Sequence, residues 1–123
     1  MTRQQLQPDA SHPITVTPTQ GRVRIRVGDT VVADTTRALT LAEASYPPAY
    51  YVPRSEVDPA LLASSDTTTW CPYKGEASYV DLDLPTGRVA DAAWTYPQPH
   101  AAVAEIEGHL AFYPDRVEVE LVE

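Results

Sequence analysis

Hydrophobic and polar positions alternate along most of this chain, and the alternating runs are short. Val23, Ile25 and Val27 interleave with Arg22, Arg24 and Arg26. A period of two is the mark of a strand with one buried face. Gly28-Asp29 follows, a pair suited to a tight hairpin turn, and Thr30 to Asp34 returns. Ile14 to Thr17 predicts an edge strand. Ala38 to Glu43 alternates again, with Leu39 and Leu41 on one face. Tyr50 to Val52 is a brief strand closed by Pro53. Asp58-Pro59 ahead of Ala60-Leu61-Leu62 predicts an N-cap, a proline at the first helical position and a single turn. Ser64 to Asp66 reads as loop, and Thr67 to Trp70 as extended. Glu76 to Leu84 is the longest strand, carrying Val80, Leu82 and Leu84 on one side, and Val89 to Tyr96 runs back from Pro85-Thr86-Gly87. His100 to Glu107 is a short helical segment ending at Gly108. His109 to Tyr113 and Arg116 to Val122 are expected to form a closing hairpin around Pro114-Asp115, with Val117, Val119 and Leu121 facing in.

Short strands with turn signals between them predict an all-β fold of antiparallel sheets. Composition agrees. Twelve of the 123 residues are proline, and proline breaks helix interiors, so a helix bundle is excluded. Residues 1–12 are polar and are expected to be a flexible N-terminal arm, leaving residues 13–123 as a single β-rich domain. Phenylalanine occurs once, at Phe112, while tyrosine occurs seven times. The core must therefore use valine, leucine, alanine and tyrosine, and each buried tyrosine hydroxyl needs a partner.

The formal net charge is -8, which disfavours nucleic acid and anionic membranes as partners. Arg22, Arg24 and Arg26 are the one local concentration of positive charge, read as a solvated strand face or as a protein-interaction face. No apolar run is long enough for a transmembrane helix, and the N-terminus lacks the apolar stretch of a secretion signal. A cytoplasmic location is expected, and the arginine- and alanine-rich composition suggests a bacterial source. Cys71 is the only cysteine, so an internal disulfide and a Cys-rich zinc site are excluded, and no metal or cofactor is expected.

The densest chemistry surrounds that cysteine. Cys71 precedes Pro72, and Lys74, the only lysine, stands three positions on. A residue before proline is held extended, and proline suits the second position of a β-turn. The two side chains are thus predicted at the ends of one strand–turn–strand unit, their Cα atoms under about 7 Å apart. An ammonium beside a thiol favours the thiolate. One reading makes Cys71 a nucleophile activated by Lys74, with His100 or His109 as a possible base, His12 being set aside in the arm. The other makes the pair simple turn structure.

The string Cys71-Pro72-Tyr73-Lys74-Gly75-Glu76-Ala77-Ser78-Tyr79 resembles the signature of the bacterial domain-of-unknown-function family 427. Arg22-Val23-Arg24-Ile25, Glu43 through Tyr46-Pro47, Tyr51-Val52-Pro53-Arg54, Ala93-Trp94-Thr95-Tyr96-Pro97 and Gly108 through Pro114 resemble its other blocks in order. The resemblance implies an Mss4-like, or β-tent, architecture of two antiparallel sheets, here without the zinc site of many relatives. It also implies a nucleotidyltransferase-like label used in some catalogues. Asp81 and Asp83 have spacing that would suit magnesium on a strand face, yet the glycine-rich phosphate loop is missing, and a solvated face is the simpler reading.

The family-matching polar and aromatic residues are Glu43, Tyr51, Arg54, Cys71, Lys74, Tyr79 and Tyr96, with Trp94 as an aromatic wall. They suggest a pocket for a small anionic or planar ligand, with Glu43 as the acidic partner of Arg54 and Lys74. A purely structural salt-bridge network is the alternative for the same charges. Three classes of function stay open: a small-molecule binding domain, an enzyme acting through Cys71 and Lys74, and a protein-interaction module.

Overall fold

The computed structural model describes residues 4–122, so residues 1–3 of the expected arm and Glu123 of the expected domain lie outside the described residues. Ten strands form two antiparallel sheets. In chain order they are β1 (Ile14–Pro18), β2 (Arg22–Val27), β3 (Thr30–Thr35), β4 (Leu39–Glu43), β5 (Ala49–Pro53), β6 (Leu62–Cys71), β7 (Gly75–Leu84), β8 (Gly87–Thr95), β9 (His109–Phe112) and β10 (Glu118–Val122). The larger sheet runs β1-β4-β5-β9-β8-β7-β6 and the smaller β10-β2-β3. The all-β class with two antiparallel sheets is thus the observed one. Among the described residues the only helical elements are 3-10 turns at Arg54–Glu56, Pro59–Leu61 and Ala101–Ile106. Asp58 caps the second of these as expected, its carboxylate accepting from the Ala60 N–H at 3.0 Å.

Strand alternation decides which side chains are buried. In β2, Val23 and Ile25 are buried while the intervening arginines face outward. In β7, Val80, Leu82 and Leu84 are buried. These residues join Val32, Val52, Leu110, Phe112 and Val117 in a first hydrophobic cluster that fastens the small sheet to the large one. A second cluster, with Leu41, Tyr51, Tyr96, Val103 and Ile106, includes residues of the Ala101–Ile106 turn. Complete burial of a valine or leucine is worth about 1.5–3 kcal/mol, so the first cluster dominates the coupling of the two sheets.

Three expectations need correction. Ser64 to Asp66 is not a loop but part of β6, where the register with β7 shifts between Ser64 and Thr68. The extra residues are held by side chains: Ser65 and Thr67 hydroxyls donate to the carboxylate of Asp91, a non-glycine residue at φ 48 in β8. The segment after Pro99 makes a 3-10 element kinked at Val103 rather than a regular helix. The closing hairpin does not form. β9 lies between β5 and β8 in the large sheet, and β10 crosses to pair with β2. Cross-strand charge explains the choice, because Glu118 and Glu120 fall opposite Arg26 and Arg24. Val117 is buried and Val119 half-buried, but Leu121 is 49% exposed rather than inward-facing. Among the described residues no helix is long and apolar enough to cross a membrane.

Candidate functional site

The hairpin between β6 and β7 is a strand–turn–strand unit as expected, but Gly75 rather than Lys74 stands at its far end from Cys71. Cys71 and Gly75 pair across its end, and Pro72, Tyr73 and Lys74 make the loop. Gly75 has φ 115, a conformation side-chain-bearing residues avoid. The Lys74 carbonyl accepts from the His100 N–H at 3.0 Å, which pins the loop against the segment before the Ala101–Ile106 turn.

Pinned there, Lys74 reaches the last residue of β4. Its ammonium donates to one carboxylate oxygen of Glu43, and the other oxygen meets the His12 imidazole Nε2 at 2.8 Å. The Lys74 and Glu43 side chains are only 11% and 15% exposed. The His12 ring stacks on Tyr73, centroids 4.1 Å apart and planes within 6°. Nearby, the Leu6 N–H donates to the Pro72 carbonyl and the Trp70 indole N–H to the Gln4 carbonyl. Residues 4–12, read from the sequence as arm, therefore touch the hairpin at several points.

Burial pushes the Glu43 carboxyl upward, but hydrogen bonds from Lys74 and His12 and their charges outweigh it, leaving the group below the ordinary carboxylate range. A carboxyl whose folded value is depressed adds stability above its unfolded value and loses it as pH falls through the folded one. Wild type and Glu43→Gln, compared by urea unfolding, are expected to differ near neutrality and to converge as pH drops below about 4. A constant difference across that window would remove Glu43 from the account. Asp9 and Asp91 are also held below the usual range by hydrogen bonds, so the comparison with the Gln variant isolates Glu43.

Beside this charge pair an aromatic row crosses the large sheet. Tyr51 of β5 pairs with Ala111 of β9, Ala111 with Trp94 of β8, and Trp94 with Tyr79 of β7. Paired residues in neighbouring strands share a face. The small Ala111 leaves room for the Trp94 indole to donate to the Tyr51 hydroxyl at 3.1 Å, the rings meeting edge-on. Trp94 also packs on Tyr113, centroids 4.4 Å apart, and the Tyr79 and Tyr113 hydroxyls share a 3.0 Å hydrogen bond. Burial first, and neighbouring negative or hydroxyl groups after it, drive Tyr51, Tyr96 and Tyr113 above the ordinary tyrosine range. All three are neutral hydroxyls near pH 7.

These groups surround a cavity of about 710 Å³. Ile25 and Val119 of the small sheet line it together with the aromatic row of the large sheet, so it lies between the sheets. The structure brings six of the expected site residues together on its wall: Glu43, Tyr51, Lys74, Tyr79, Trp94 and Tyr96.

Arg54 does not join them. Pro53 ends β5 and the chain turns at Arg54–Glu56, leaving Arg54 exposed by other, smaller depressions. The expected acidic pairing of Glu43 with Arg54 is replaced by one with His12. Cys71 is half-buried against the second cluster and is not on the cavity wall. His100 lies edge-on to Trp70, and the His109 Nδ1–H donates to the Glu107 carbonyl. Asp81 accepts from the Asp91 N–H at 2.8 Å, and Asp83 is exposed. Arg22 and Arg24 pair with Asp34, and Arg26 with Glu118 and Glu120, so the basic strand face carries its own counter-charges.

Sequence reasoning did not single out Tyr46-Pro47 and Tyr113-Pro114, which also line the cavity. The available signal was the recurrence of Tyr-Pro at strand ends, since proline holds the preceding tyrosine extended. His12 had no such signal, because its partner is 31 residues away.

Fold and site together define a two-sheet, all-β domain with an aromatic-lined cavity between the sheets. The chain belongs to the family described as a domain of unknown function, DUF427, whose family model matches residues 15–123. Comparison with curated proteins found no match.

Proposed function

We propose that this domain binds a small planar ligand in the cavity between its sheets. The observation that carries the reading is the wall itself, in which Tyr51, Trp94, Tyr79, Tyr113 and Tyr96 surround about 710 Å³ with one charge pair at the edge. That volume is within the range of small-molecule sites, and few polar groups among aromatic walls is their usual make-up. Aromatic faces favour a flat partner that can stack offset or meet them edge-on. The planar half of the expectation from sequence gains more support than the anionic half. Lys74 is already neutralised by Glu43, and Arg54 stands elsewhere.

A thermal-shift screen of soluble planar fragments tests this. A fragment at about 100 times its dissociation constant should add about 2.7 kcal/mol of stability. It should also quench the Trp94 emission, read in a Trp70→Phe background. Trp94→Leu is expected to abolish the shift while still unfolding cooperatively in urea. Fragments that stabilise the Trp94→Leu protein as well as the wild type would place their site outside the cavity and sink the reading.

A further inference from the structure

The polar corner of the cavity has hydrogens left over. Both oxygens of Glu43 are engaged, one by Lys74 and the other by His12. The Trp94 indole N–H is spent on Tyr51. Tyr51 accepts that bond and keeps its own O–H to give. Among the described residues the Tyr96 hydroxyl has no hydrogen-bond partner, although the residue is only 6% exposed. An ammonium carries more N–H groups than the one Lys74 uses on Glu43. The three donors belong to one neighbourhood: Lys74 Nζ is 6.0 Å from the centre of the Tyr96 ring, Tyr51 and Tyr96 pack in the same cluster, and all three line the cavity.

Donors that line a cavity with hydrogens to spare are placed to bond a partner that supplies an acceptor. We propose that the ligand carries a carbonyl or carboxylate oxygen on its planar ring, and that the Tyr51 and Tyr96 hydroxyls and the Lys74 ammonium hold that oxygen. This inference rests on the planar-ligand reading above. Neutral hydroxyls donate without attracting a counter-ion, and Glu43 acts as a positioning residue that holds Lys74 in place. A cationic head group would meet the Lys74 ammonium and would have to share Glu43 oxygens that Lys74 and His12 already engage.

Three ring-matched probes separate the possibilities when titrated calorimetrically into the full chain: naphthalene-2-carboxylate, naphthalene-2-carboxamide and 2-(aminomethyl)naphthalene. The two oxygen-bearing probes are expected to bind at least about tenfold more tightly than the amine, one hydrogen bond being worth about that factor. The tighter of the two identifies the acceptor as ionised or neutral. Tyr96→Phe is expected to weaken both by about tenfold. Its urea midpoint should stay the same or rise, because no bond within the protein is lost. An amine that binds as well as the other two, or a Tyr96→Phe protein with unchanged affinities, would overturn the head-group assignment and leave the cavity reading standing. If none of the rings binds, both fall together.

Discussion

Tyr51→Ala is expected to lower the unfolding free energy by about 3–5 kcal/mol, the range for removing a large aromatic side chain from a core. Tyr51 is 1% exposed and packs with Leu41, Tyr96 and Ala111. Its ring meets Trp94 edge-on at 6.2 Å, and its hydroxyl satisfies the Trp94 indole N–H. The alanine variant deletes the ring, opens the cavity floor and orphans the indole N–H together. In urea, where small domains lose about 1–3 kcal/mol per molar denaturant, the midpoint should fall by more than 1 M. Tyr51→Phe is the control. It keeps the ring and loses the hydrogen bond, so it should cost about 1 kcal/mol. Equal losses in the two variants would mean that the hydroxyl, and not the packing, holds the aromatic row together.

Gly75→Val should be nearly as damaging, by a different route. Gly75 has φ 115, which strains any side-chain-bearing residue. A Cβ there would lie 3.2 Å from the Gln98 carbonyl oxygen and 3.4 Å from the His100 ring. Strain of about 1–3 kcal/mol and overpacking of similar size predict a loss of about 2–6 kcal/mol. The position also matters for the site. The clash pushes the hairpin away from the backbone that anchors Lys74, so Lys74 should lose its seat on Glu43. Urea unfolding combined with binding of a cavity probe checks both parts. A Gly75→Val protein as stable as wild type would contradict the close approach.

The pattern of strands was legible because alternation is a local property. Val23-Arg24-Ile25 and Val80-Asp81-Leu82 state their buried faces without reference to anything distant. The partner of β10 was not legible. Pro114-Asp115 reads as a hairpin turn, but pairing was decided by Glu118 and Glu120 meeting arginines on a strand about ninety residues earlier. The site divides the same way. Glu43, Tyr51, Lys74, Tyr79, Trp94 and Tyr96 were found through the family-like blocks, and the fold gathers them. Arg54 shares a block with Tyr51, yet Pro53 ends the strand between them and the chain turns away. Ser64 to Asp66 looked like loop because the residues are small and polar. Their extended path depends on Asp91, which no local pattern names.

The contact of His12 with Glu43 makes the chain's beginning part of the chemistry at the cavity. A protein shortened to start at residue 13 would keep all ten strands, since β1 begins at Ile14. It would also hand one oxygen of Glu43 to solvent and remove the ring that covers Tyr73. The charge pair beside the cavity would then be wetter and less fixed, with the sheets themselves unchanged. Two preparations of this domain that differ only before the first strand therefore differ at the charge pair beside the cavity while sharing the fold.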